Sequence, residues 1–300
     1  MLDTISRDWY KVKCENEYLK LKRNEFQSWF ADVMERAYPG DFQRVRQAQG
    51  DRGCDGYRIS TKTVYQVYAP REIRPSALNR KIKDDFNQAL EEFGEKMAAW
   101  TFVHNDPDGL TPDTAVDTFG GLKEEHPNII VAIHTFNEIW SIIKNLDIEK
   151  IEDIFGSAPT FSHLHHLQLT EIVPVLRFIE KHEVPLEVTV NPPDPEKLEF
   201  NAFSEEVQDL ISSGRRKATL VQQYFEKVRD PMYGESLAEA FREKYGSLKS
   251  SDLCADEIFD ELRKFTGGDY FHDASKQAAV LAILSYFFER CDIFENPDES

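Results

Sequence analysis

Two short segments carry residue types whose spacing could do chemistry: Gly50-Asp51-Arg52-Gly53-Cys54-Asp55-Gly56 and Tyr65-Gln66-Val67-Tyr68-Ala69-Pro70. The first is a Gly-rich turn with a carboxylate at its exit. The second is β-rich and carries a polar Gln66 among aromatic and branched neighbours. A carboxylate at the end of one strand and a polar residue on the next strand can converge on a divalent cation. Carboxylate oxygens hold Mg²⁺, which polarises a phosphate and helps generate hydroxide. A lysine usually completes such a site by positioning water and steadying developing charge. The competing interpretation is an ordinary Gly-Asp turn, in which the aspartate bonds its own backbone.

These residues need a scaffold, and the hydrophobic periodicity supplies one. Residues 15–37 read as a helix with Leu19, Leu21, Phe26, Phe30, Val33 and Met34 near helical spacing, ended by Tyr38-Pro39-Gly40-Asp41. Residues 42–47 alternate weakly, as a strand would. Residues 57–59 and 63–68 read as a hairpin. Residues 77–97 form a second helix with Leu78, Ile82, Phe86, Ala89 and Phe93 on one face. Strands are expected at 100–104 and 129–134, and a helix at 136–143. The expected fold class is an α/β N-terminal domain, a mixed sheet with flanking helices, over residues 1–158. A mainly α-helical domain follows over 159–300, with helices at 171–182, 205–212, 218–228, 235–245, 255–265 and 275–290. Asn191-Pro192-Pro193-Asp194-Pro195 reads as a stiff linker or hinge.

Charge divides the chain in the same way. The total is −18, yet residues 1–100 hold 18 Lys/Arg against 16 Asp/Glu, while residues 101–300 hold 18 against 38. The front can face phosphates, and the acidic back is better suited to protein. Cys14, Cys54, Cys254 and Cys291 form neither a CxxC pair nor a disulfide framework. The segment Met1–Trp9 lacks a signal-peptide core, and no run of about 18 apolar residues spans a membrane. The expected location is cytoplasmic, with no membrane partner. No GxxxxGK[ST] occurs, so ATP dependence would have to come from another polypeptide.

The two segments resemble the PD-(D/E)XK nuclease superfamily, in particular the Mrr-like branch that reads GD-x-G-x-D-G followed by Q-x-K. The resemblance implies Asp55 as the metal-binding aspartate and Gln66 in place of the second acidic residue, orienting metal or water. It implies Glu25, on the preceding helix, as a second metal ligand. The usual lysine position is Tyr68, which donates a hydrogen bond but carries no charge at pH 7. A lysine from the next helix would then supply the cation, with Lys81 preferred over Lys83. The implied activity is Mg²⁺- or Mn²⁺-dependent hydrolysis of double-stranded DNA, with self-association on activation.

A second resemblance covers roughly the last 100–140 residues. Leu198-Glu199-Phe200-Asn201, Tyr224-Phe225, Asp230-Pro231 and the closing Cys291-Asp292-Ile293-Phe294-Glu295 resemble the C-terminal domain of effectors in ABC-three-component systems, the group that includes Lamassu antiviral and plasmid-defence operons. With the nuclease-like front, the chain resembles the nuclease effector subunit of a Lamassu-type system. That resemblance implies an SMC-like ABC ATPase and a small middle subunit as partners, which hold cutting off until the complex is triggered. The alternative class is a catalytically dead adaptor that binds DNA ends or partner proteins. An RNA nuclease is a third option.

Other residues read as structural. His163, His165 and His166 belong to a loop or helix face, and His104 and His134 to strand ends in the core. Cys54 has no histidine neighbour in sequence to activate it. Arg80, Lys81 and Lys83 could be a solvated helix face, and Arg44, Arg46, Arg52 and Arg58 could grip phosphates.

Overall fold

The computed structural model describes residues 2–45, 54–72, 74–107, 109–179, 197–228, 230, 232–290 and 292–295. The expected turn at 50–53, Arg46, Arg52, the proline-rich stretch 191–195, Pro231 and Cys291 lie outside them. The chain forms two units, Glu17–Ile151 and a second made of Met1–Asn16 with Glu152–Ser300. The sequence placed a division at 158 and kept the N-terminus with the front. The structure divides at 151/152 and assigns the first sixteen residues to the C-terminal unit.

Helix α1 (Thr4–Lys20) is followed by α2 (Asn24–Ala37). One continuous helix was expected from residue 15 to 37. It is interrupted because tertiary hydrogen bonds capture its backbone. Asn105 Nδ2 donates to the Tyr18 and Leu21 carbonyls, and the Arg23 N–H donates to Ala69 O at 2.6 Å. Arg23 takes a positive φ of 52° there, a conformation that side-chain-bearing residues adopt only where neighbours impose it.

The N-terminal unit contains a five-stranded mixed sheet in the order β1 (Phe42–Arg44), β2 (Gly56–Arg58), β3 (Thr63–Tyr68), β4 (Ala99–His104) and β5 (Ile130–His134). The first three strands are antiparallel neighbours, and β3, β4 and β5 run parallel. Parallel neighbours need crossovers. These are α3 (Pro75–Phe93) and a π-helical stretch, Asp113–Thr118, leading into α4 (Phe119–Glu125). Pro75 suits the first helical turn of α3, and Gly94, at φ 50°, ends it with its N–H on Leu90 O. Leu78, Ile82, Phe86 and Ala89 of α3 join Phe119 and Leu122 of α4 against Val64, Trp100, Phe102 and Val131 of the sheet. The opposite face of β3 packs Tyr65 against Phe30 of α2 and Phe42 of β1. There α2 also lies beside α5 (Phe136–Ile143). A Cβ on Gly56 would overlap the Phe42 ring, so the turn exit needs glycine for close approach.

The C-terminal unit is mostly helical: the second half of α6 (Ile148–Phe155), α7 (Phe161–His166), α8 (Leu169–Ile179), α9 (Lys197–Phe200), α10 (Glu205–Lys227), α11 (Tyr233–Lys249), α12 (Ala255–Gly267) and α13 (Ala274–Glu289). Helix α13 is buried along nearly its whole length, so its apolar residues surround the axis rather than form a stripe. Two helices were expected where α10 is continuous. The Ser212-Ser213-Gly214 interruption is a contact: a Cβ on Gly214 would run into the Leu281 carbonyl of α13. The first half of α1 belongs here, with Trp9 buried beneath the Arg263 guanidinium at 4.6 Å. The closing segment is clasped: Lys197 Nζ donates to Ile293 O at 2.7 Å, the Glu295 N–H donates to Asn201 Oδ1, and Asp292 pairs with Arg242 and Arg290. No helix among the described residues is long and apolar enough to cross a membrane.

Candidate active site

The strand register brings Asp55 and Gln66 together. Gly56 pairs with Tyr65, so the same register carried one step sets Asp55 opposite Gln66. Asp55 N–H donates to Tyr65 O at 2.8 Å, which holds the turn exit against β3. Both side chains line an open cleft of about 350 Å³ together with Tyr68 and Lys81. Arg23, Asn24, Gln27, Val67, Ala69 and Pro70 complete its walls.

Asp55 is 6% exposed, and its carboxylate is held from two sides. Gln27 Nε2 donates to Oδ1 at 2.5 Å and the Val67 N–H donates to Oδ2 at 2.7 Å. Hydrogen bonds of this kind favour the ionised carboxylate and fix its direction. Gln66 is 2% exposed, and its Oε1 accepts no hydrogen bond among the described residues. Such a buried acceptor normally has a partner. Lys81 is partly exposed and pairs with the buried Asp85, one turn on, at 2.7 Å. The Tyr68 ring packs on Phe102, with centroids 6.1 Å apart.

The four residues named from the sequence as catalytic, Asp55, Gln66, Tyr68 and Lys81, therefore line one cleft. Glu25 is exposed on the first turn of α2 and is not among the lining residues; the residue that reaches Asp55 from that helix is Gln27. Lys83 and Arg80 are exposed and outside the cleft. Gln27, Arg23, Asn24 and Asp85 were not singled out from the sequence. The i, i+4 spacing of Lys81 and Asp85 was the one signal that could have marked the last. Arg44 is occupied by Asp32 and Glu35, and Arg58 by Asp41 at 2.7 Å while stacking on Tyr38. Two of the arginines considered for phosphate are thus already neutralised.

The donor set can be tested against the implied cation. Asp55 offers carboxylate oxygens, and Gln66 Oε1 is a hard amide oxygen with no donor against it. Mg²⁺ ordinarily takes one or two carboxylates and completes its shell with water and substrate phosphate. The cleft fits a sparsely held Mg²⁺ or Mn²⁺ of that kind. Among the described residues no group of three or more His, Cys, Asp or Glu gathers, so a metal caged by protein alone does not fit.

The histidines stand apart from the cleft. His104 and His134 are held below the ordinary imidazole range by burial, against the opposing pull of Glu138 on both and of Asp106 on His104. His163 bonds Thr160 at the start of α7, and Cys54 is buried with its thiol on Gly56 O.

Residues 170–295 match the family model for C-terminal domain 10 of the ABC-three component (ABC-3C) systems. The match lies within the C-terminal unit. It supports membership of an ABC-three component system, with partner subunits from the same system. No curated protein and no solved structure matches the chain.

Proposed function

We propose that this chain is a Mg²⁺-dependent endonuclease for double-stranded DNA and the nuclease effector of a Lamassu-type defence complex. The observation that carries the catalytic part is the shared cleft of Asp55, Gln66, Tyr68 and Lys81. The C-terminal family match supports the setting, an ABC-three component system. The SMC-like ATPase and the middle subunit, and restraint by them, are carried from the resemblance.

A bound metal would polarise the scissile phosphate and lower the pKa of its water. Asp55 and Gln66 would hold it through oxygen atoms, with Gln27 and the Val67 amide keeping the carboxylate aimed. Lys81, steadied by Asp85, would balance charge developing on the phosphate. Tyr68 would hydrogen-bond the phosphate or the attacking water. The test is plasmid cleavage by the purified complex with Mg²⁺ or Mn²⁺, compared with the same complex carrying Asp55→Ala. Cutting lost in that variant supports the assignment, and cutting unchanged by it removes Asp55 from the chemistry.

One observation favours a second reading, a nuclease-fold adaptor without catalysis. Each Asp55 oxygen already accepts a hydrogen bond, and no group of three or more His, Cys, Asp or Glu gathers among the described residues. An absence of cutting under every condition, with DNA or partner binding intact, would select it.

A further inference from the structure

A second cleft, of about 460 Å³, adjoins the first. The two share Pro70, and their walls alternate along the same three segments. Lys22 and Arg71 line the second where Arg23 and Ala69 line the first, and Leu78 of α3 lines the second one turn before Lys81 lines the first. The second cleft therefore adjoins the one that Asp55 lines.

Its chemistry suits a nucleotide. Arg71 and, at the junction, Arg23 are cations that no carboxylate neutralises among the described residues. Arg44, Arg58, Arg36 and Arg74 differ, each having an acidic partner. The Arg23 backbone is strained and pinned to Ala69, which fixes where its side chain departs. Asn105, 1% exposed, lines the second cleft. Both its Nδ2 bonds go to backbone carbonyls, which ties this wall of the cleft to the end of α1, and its buried Oδ1 accepts none among the described residues. Pro70, Pro75, Leu78 and Leu110 give the cleft apolar walls, and Asp106 adds one carboxylate to its lining. Cations for phosphate and apolar walls for a ring are what a nucleotide needs.

We infer that this second cleft seats the nucleotide next to the scissile phosphate of a DNA strand, with Arg23 and Arg71 gripping the phosphates on either side of it. The inference rests on the nuclease reading for which phosphate is cut, but not for binding. The test is fluorescence polarisation of a labelled DNA duplex with the full chain, in chelator, over a salt series. Arg71→Ala and Arg23→Gly are compared with Arg80→Ala, an exposed arginine outside both clefts. Glycine at 23 accepts the positive φ without added strain. Each cleft variant is expected to bind more weakly and to lower the slope of log K against log salt by about 1, with Arg80→Ala near the unsubstituted chain. Equal effects of all three, or no binding of DNA at low salt, overturn the inference. Binding that depends on Arg23 and Arg71 without any cutting would sink the nuclease reading alone. Cutting that needs Asp55 but ignores Arg71→Ala and Arg23→Gly would sink this inference alone.

Discussion

At the scale of single residues, the positioning of Asp55 and Lys81 can be separated from the chemistry proposed for them. Gln27 donates to the carboxylate that would hold the metal. Outer partners of metal ligands typically matter by about 10–100-fold. Gln27→Ala should cost cleavage by that factor, with the loss partly recovered at high Mg²⁺; an unchanged metal dependence would mean that Gln27 does not orient the site. Lys81→Ala should lower kcat by about 100–1000-fold, the range for removing a group that stabilises transition-state charge, while Lys83→Ala should leave it unchanged. Steady-state rates on both variants decide this. The sequence showed Asp55 and Gln66 because turn chemistry and strand pairing are local. It did not show Gln27, because helix position is set by packing: Glu25 and Gln27 both lie on the first turns of α2, and only the three-dimensional approach of α2 selects the second.

His104 carries a pH prediction at the same scale. Burial lowers its pKa below the ordinary value of 6.5, so the unfolded chain binds the proton more readily. The stabilisation is therefore complete above about pH 6.5 and is lost as pH falls through the lower folded value. Urea midpoints should fall between pH 7.5 and 5, and His104→Phe should flatten that slope. A slope that is the same in both proteins would assign the acid sensitivity to other groups.

Among the elements, α3 does the most to build the site, since it covers one sheet face and delivers Lys81. Its stripe of Leu78, Ile82, Phe86 and Ala89 was legible because amphipathic periodicity survives without tertiary help. Ile82 is fully buried in that stripe. Ile82→Ala should destabilise the N-terminal unit by about 2–5 kcal/mol, measured by denaturant unfolding; a change under about 0.5 kcal/mol, the level of a surface site, would contradict the packing. The break between α1 and α2 was not legible, because its causes are Asn105 and Ala69, far along the chain. The first half of α1 was missed for a related reason. Ser6, Asp8, Lys13 and Asn16 are buried polar positions that blur the stripe, and Ser6 and Lys13 find partners at the Pro159 and Phe155 carbonyls. The Gly214 interruption in α10 misled in the opposite direction, since a glycine chosen for close helix approach has the same letter as one chosen to end a helix.

For the whole molecule, the chain order is not the order of the units. The N-terminal residues complete the C-terminal unit, whose core includes Trp9 under Arg263. Trp9→Ala should loosen that unit, with a loss of about 3–5 kcal/mol for a large buried aromatic. Faster amide exchange across α12 and α13 would register it; unchanged exchange there would contradict the assignment. The acidic back half of the sequence fits a region that meets protein, in keeping with the ABC-three component match over residues 170–295. Composition could reveal that division of charge, but not which surface a partner covers.

The most direct test of the central claim is a supercoiled-plasmid assay with Mg²⁺ on the complete complex, carrying either unsubstituted chain or Asp55→Asn. This substitution keeps the shape of the side chain and one oxygen that can still accept from Gln27, while it removes the carboxylate charge and the bond from the Val67 N–H. Nicked or linear product from the first and none from the second is the result expected of a metal-dependent nuclease centred on Asp55. Equal cutting by both, or none by either under triggering conditions with DNA still bound, would contradict it.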